Sequence, residues 1–244
     1  MESLSGLFIK LLRRRPAGRS VILLAAALGS LASPVVAKAE IPPYLREALA
    51  KFSPEIPREW AYTVMTERAG QRTTERFDAS KPPEEQWRLL LLNGLPPTSE
   101  EVAKYYKYKA AQVPGATQAT FKRADIEPGS IAQVRETADW AEFTCTFRDE
   151  SAAADKMLAH LRLRLLVARR EPHVGKYVLE LREPYSPVLG VKMRELLVEM
   201  TFGPPESGHP SLPVRGTSHF IGRIFLVPVE ENLRYAYSDF VRTP

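Results

Sequence analysis

One cysteine, four histidines and thirteen glycines in 244 residues leave little material for several kinds of site. A lone thiol, Cys145, cannot close an internal disulfide or supply a thiolate cluster. His160, His173, His209 and His219 do not fall at the i, i+4 or short-loop spacings of zinc sites. Glycine is sparse, and no G-x-G-x-x-G, P-loop or G-x-S-x-G is present. The adjacent carboxylates Glu84-Glu85, Glu100-Glu101 and Glu230-Glu231 point apart on helix or strand, so they suit solvated edges better than an acid/base pair. No catalytic residue, metal ligand or cofactor is assigned, and the expectation is a non-catalytic protein. Because triads assemble from distant residues, a hydrolase stays as a distant third reading.

An excess of charge is also lacking where it would matter. Residues 1–39 hold Lys10, Arg13, Arg14, Arg15, Arg19 and Lys38 against Glu2; removing these from the totals of 34 bases and 29 acids leaves 28 of each. The formal charge of +5 therefore belongs to the N-terminus, and nothing argues for nucleic acid. That terminus has a basic stretch, an apolar run from Val21 to Ala32, and Ala37-Lys38-Ala39 before Glu40. Such an order predicts a secretory signal peptide over residues 1–39. The apolar run is shorter than the roughly 20 residues a spanning helix needs, which disfavours a retained anchor. Pro16-Ala17-Gly18 continues Arg14-Arg15 poorly as a twin-arginine signal. Residues 40–244 are then expected to be one domain, periplasmic or secreted, with no stable membrane span after signal cleavage.

Within that domain, Pro43–Lys51 has helical composition and is closed by Pro54 and Pro57. From Trp60 the period becomes two: Trp60, Tyr62 and Val64 alternate with smaller or polar residues, and Gln71–Asp78 forms a polar hairpin partner. Trp87–Leu92 is apolar except at Arg88 and suits a strand covered on both sides, or a buried helical turn. Thr98 and Glu101 predict a capping box opening a helix to about Gln112. In that helix Tyr105 and Tyr106 are expected to pack on the body beside Val102, with Lys104, Lys107 and Lys109 reaching outward. Alternating apolar residues recur at Phe143/Cys145/Phe147, Leu161/Leu163/Leu165/Val167 and Tyr177/Leu179/Leu181. This is antiparallel sheet with one wet face. Cys145, between two phenylalanines, is expected to be a small buried hydrophobe.

In Val191–Phe202 the large apolar residues change parity, from Val191 and Met193 to Leu196, Val198, Met200 and Phe202. An extra residue near Arg194-Glu195 would reconcile them, so a β-bulge is predicted there. Leu212–Gly216, His219–Val229 and Asn232–Arg242 are predicted to complete the sheet. The fold class expected is α+β: a curved antiparallel sheet, an unclosed β-barrel, with two or three helices covering its concave face.

Phe143-Thr144-Cys145-Thr146-Phe147, Lys176–Arg182, the Pro184-Tyr185-Ser186-Pro187 turn, and Leu212-Pro213 leading into Ile221–Val229 resemble the Lol fold of periplasmic lipoprotein carriers and outer-membrane lipoprotein receptors. The resemblance covers residues 131–242. Trp87–Gly94 with Pro97-Thr98 is similar to a segment of secreted Gram-negative proteins. The Lol resemblance implies an unclosed barrel with a helical lid over an apolar hollow that receives acyl chains. No cysteine stands at the predicted mature N-terminus, which argues against the membrane-anchored receptor type. The first functional expectation is binding of a lipid, a lipidated protein or another hydrophobic ligand. Its candidate lining is Trp60, Tyr62, Phe143, Phe147, Leu163, Leu165, Tyr177, Leu179 and Val198, unless these simply pack beneath the helices. The alternative is an envelope protein-interaction or stress-sensing module on the same scaffold; ligand identity and oligomeric state are left open.

Overall fold

The structure is a computed structural model that describes residues 41–111, 121–206 and 209–243. The expected signal peptide, 1–39, and the predicted last helical residue, Gln112, lie outside these. In chain order come α1 (Pro43–Lys51), β1 (Trp60–Arg68), β2 (Gln71–Phe77), β3 (Trp87–Leu92), α2 (Ser99–Ala111), β4 (Ala132–Glu136), β5 (Trp140–Cys145), α3 (Asp149–Ala154), β6 (Leu161–Ala168), β7 (His173–Leu181), β8 (Val191–Phe202), β9 (Pro213–Ile224) and β10 (Val227–Arg242).

The ten strands form one antiparallel sheet in the order β3-β2-β1-β10-β9-β8-β7-β6-β5-β4. From β4 to β10 the chain meanders, each strand pairing with the next. β1 then pairs with β10, which joins the N-terminal three-stranded meander to the C-terminal strand. β3 and β4, consecutive strands in the chain, are the two free edges of an unclosed barrel. Register shifts at Ala61/Thr63, Leu166/Val167 and Met193/Glu195 introduce the extra residues that bend such a sheet. The last is the predicted bulge, and it returns Val191, Met193 and Phe202 to one buried face.

α1 begins with proline at its first turn, where the missing N–H is not needed. It buries Leu45 and Ala48, three residues apart, against the β5–β8 side of the sheet, where Tyr44 meets Phe143 and the following Phe52 meets Tyr177. Its C-terminal carbonyls are satisfied from elsewhere in the chain: Arg123 Nη1 donates to Leu49 O and Ala50 O, both at 3.1 Å. The opposite face of β4–β8 carries a lattice of ion pairs. Arg162–Glu180 is 2.6 Å, Arg164–Glu142 3.3 Å and Lys176–Glu199 2.7 Å. These join neighbouring strands in the way alternation with one wet face requires.

Three expectations are corrected. β3 is an edge strand, with Leu89 buried and the remaining positions half-buried or exposed, so it is not covered on both sides. Lys109 does not reach outward. It turns in, 2.7 Å from Glu75 and 4.0 Å from the Trp87 ring centroid, while Tyr106 is exposed. Finally, Leu212–Gly216 and His219–Val229 are not separate strands: β9 runs unbroken to Ile224, and the chain reverses at Phe225-Leu226. Glu230 and Glu231, which fall between the two strands expected from the sequence, lie inside β10 opposite Ile221 and Phe220.

Candidate functional site: the concave face

In an antiparallel pair, residues directly opposite share a face. Stepping across the ladder from β5 gives Phe143, Leu165, Tyr177, Met200, Gly216, Tyr235 and Thr66. The parallel row gives Cys145, Leu163, Leu179, Val198, Ser218 and Leu233. Two positions along β10 from Tyr235, Tyr237 opposes Val64, which opposes Glu75 and through it Leu89. One continuous, mostly apolar face thus crosses the whole sheet.

That face is divided into three parts. Under α1 it is filled. Phe143, Leu163, Leu165 and Tyr177 are at most 1% exposed, and Leu179 and Phe147 are buried beside them. Phe121 stands edge-on to Tyr177 at 5.3 Å and to Phe147 at 5.6 Å; Phe202 meets Phe52 at 5.5 Å. Beneath α2 lies a second aromatic group: Tyr62 contacts Phe77 at 5.2 Å, Tyr237 at 5.9 Å, Phe240 at 5.9 Å and Trp87 at 6.0 Å. Lys109 and Glu75 close this end, with the Tyr105 ring 5.3 Å from the ammonium. Between the two ends runs a strip on β8–β10 formed by Leu196, Val198, Met200, Leu233, Tyr235 and Tyr237, all half-buried. Gly216 sits in its middle. A side chain there would lie 2.9 Å from Met200 Cε and 3.2 Å from the Tyr235 ring, so glycine is what lets both lean over the sheet.

The strip is apolar but has polar tips. Burial, and then the neighbouring Tyr237, push the Tyr177 phenol well above its ordinary value. Burial and Tyr62 do the same to Tyr237, and burial followed by Tyr237 to Tyr235. The Tyr177 hydroxyl is buried and has no hydrogen-bond partner among the described residues. A buried hydroxyl left this way costs on the order of 1–3 kcal/mol.

Of the nine residues singled out from sequence, eight lie on the one sheet and Phe147 just beyond the end of β5, but they do not form one group. Phe143, Phe147, Leu163, Leu165, Tyr177 and Leu179 belong to the cluster under α1, where Val198 packs at its margin. Tyr62 centres the aromatic group under α2, and Trp60, buried, lies 4.9 Å from the His209 ring. Sequence reading missed Leu196, Met200, Tyr235 and Tyr237 as members of one strip. Their alternation was visible; the pairing of β10 with both β9 and β1 was not.

Cys145 is 1% exposed, and burial pushes its thiol up to about 12, as expected of a packed hydrophobe. The histidines are dispersed: His160 stacks on Tyr185 at 4.0 Å, His173 bonds Glu171 O at 2.7 Å, and His219 bonds Asn232 at 2.7 Å. Among the described residues no group of three or more His, Cys, Asp or Glu could hold a metal ion. Among the same residues no helix is long and apolar enough to cross a membrane.

No protein-family model matches the chain, and no curated protein does. Among solved structures, the chain is similar at 11% identity to an isomerase-inactive variant of GphF DH1, over 82% of this chain and 80% of that one, with a TM-score of 0.16. A superposition that poor carries no argument about fold or activity.

Proposed function

We propose that this protein is a non-catalytic binder of a hydrophobic ligand, a lipid or the acyl chains of a lipidated protein, working in the periplasm or after secretion. The observation that carries the reading is the half-buried strip between α1 and α2, where an apolar face of the sheet is continuous but its side chains are more exposed than those under α1. Ligand sites are concave, mostly apolar and marked by few polar groups. The half-buried Tyr235 and Tyr237 on that strip offer such groups for a ligand's carbonyl or hydroxyl. The Lol resemblance of residues 131–242 points the same way, toward acyl chains.

Native mass spectrometry of protein purified from membrane-containing cells is the test. Co-purified lipid that is lost when Met200 is replaced by Glu supports the proposal. A ligand-free mass, with no saturable binding of an acyl dye, contradicts it. A second reading, an envelope interaction module, is favoured by β4, an edge strand exposed along its length. Recovery of one stoichiometric periplasmic partner, lost on placing proline at Val134, would support that reading instead.

A further inference from the structure

The β9–β10 hairpin ends in a turn that is chemically out of place. Two-residue hairpin loops favour Asn-Gly or Gly at their centre, because the backbone there enters the left-handed region. Here the loop is Phe225-Leu226, and Phe225 has φ +54°. A bulky residue in that region is disfavoured, and both side chains point to water: Phe225 is 66% exposed, Leu226 91% and the adjoining Val227 59%. The β7–β8 connection adds Leu189, 96% exposed, at the same end of the sheet. Phe225 N donates to Gly190 O, and the Phe225 ring lies 2.7 Å from where a Cβ on Gly190 would be. Gly190, at φ +82°, is thereby required both by its backbone and by the ring resting on it.

Charge around this tip has one sign. Residues 186–193 and 222–229 contain Lys192 and Arg223 and no acid. These cations stand directly opposite each other across β8 and β9, and among the described residues neither has an ion-pair partner. Like charges so placed are destabilising unless an anion lies between them. The nearest strand carboxylates, Glu195 and Glu230, both oppose Ile221, about 10 Å back from Ile224 at strand rise. Lys192, Arg223, Leu189 and Phe225 also border a shallow cleft of about 360 Å³.

Exposed aromatic and aliphatic side chains at a hairpin tip, followed at once by unpaired cations, fit an interface whose interior is hydrocarbon and whose surface is phosphate. We propose that the Phe225-Leu226 tip and Leu189 insert into the surface of an anionic phospholipid bilayer, with Lys192 and Arg223 contacting lipid phosphates. This stands apart from ligand binding on the concave face and holds whether or not that face is loaded.

The test is sedimentation of the purified chain with phosphatidylcholine vesicles, with and without phosphatidylglycerol. The native protein is expected to bind the anionic vesicles and to release with salt. F225N/L226G installs the preferred turn, so its thermal midpoint should be unchanged or higher while vesicle partitioning falls roughly a hundredfold, the loss of two inserted apolar side chains. K192E/R223E should weaken binding by about tenfold or more on anionic vesicles and leave neutral ones unaffected. Absence of vesicle binding by the native protein overturns the proposal, as does equal binding by F225N/L226G. Capture of a stoichiometric protein through the tip, without vesicle binding, overturns it in favour of a protein partner.

Discussion

At the scale of single residues, the concave face is governed by hydroxyls placed where water is scarce. Tyr177 is fully buried with no partner for its oxygen among the described residues. In ligand-free protein, Tyr177→Phe removes a desolvated group without changing shape, and the urea midpoint is expected to rise, by about 1 kcal/mol in stability. A drop would mean the hydroxyl is satisfied. The raised phenols of Tyr177, Tyr235 and Tyr237 also set a pH limit. Above the ordinary phenol value of 10.0 the unfolded chain releases these protons while the folded chain holds them. The unfolded state then binds fewer protons, so stability is complete below pH 10 and falls as pH rises beyond it. Ultraviolet tyrosinate absorbance should show the fully buried Tyr177 titrating only together with unfolding, and the half-buried Tyr235 and Tyr237 later than a free phenol; early, reversible titration of Tyr177 would contradict its burial.

Among elements, α2 is the one whose sequence signals were half legible. Thr98 and Glu101 announce its start, and the structure shows the reciprocal bonds, Thr98 N to Glu101 Oε2 at 2.7 Å and Glu101 N to Thr98 Oγ1 at 3.3 Å. Thr98→Ala should weaken α2 by about 1 kcal/mol, read as faster amide exchange in that helix with β6 and β7 unaffected. What the helix docks against could not be read locally, since the partner of Lys109 is Glu75, on β2. Both side chains are largely covered, 17% and 12% exposed, so Lys109→Ala and Glu75→Ala together should cost less than the sum of the two, with a coupling of about 1 kcal/mol. Additivity would show that the pair does not hold the helix down. The limits of α1 were legible because prolines mark them, and the β8 bulge because large residues change parity. The β9–β10 reversal was hidden for the opposite reason: Ile224-Phe225-Leu226-Val227 has no glycine, asparagine or charge to mark a turn, so it reads as strand interior.

For the whole molecule, alternation specified an antiparallel sheet with one dry face, and the parity change specified that it bends. Strand order was out of reach, because which strands meet depends on contacts as distant as β1 with β10. That pairing makes the sheet ten strands wide and places Tyr62 and Tyr237 on the same face as Tyr177. It also explains why residues chosen as one lining separate into two groups, with an incompletely covered strip between them.

The most direct measurement is a titration with a fluorescent fatty-acid analogue, comparing the native chain, Val198→Trp and Leu226→Ser. Val198→Trp adds an apolar ring to the strip, and Leu226→Ser alters only the distant tip. Saturable binding by the native chain and by Leu226→Ser, with affinity at least about tenfold weaker in a folded Val198→Trp, is the result expected if apolar ligands lie on β8–β10. Unchanged affinity in Val198→Trp, or no saturable binding by the native chain, would contradict it.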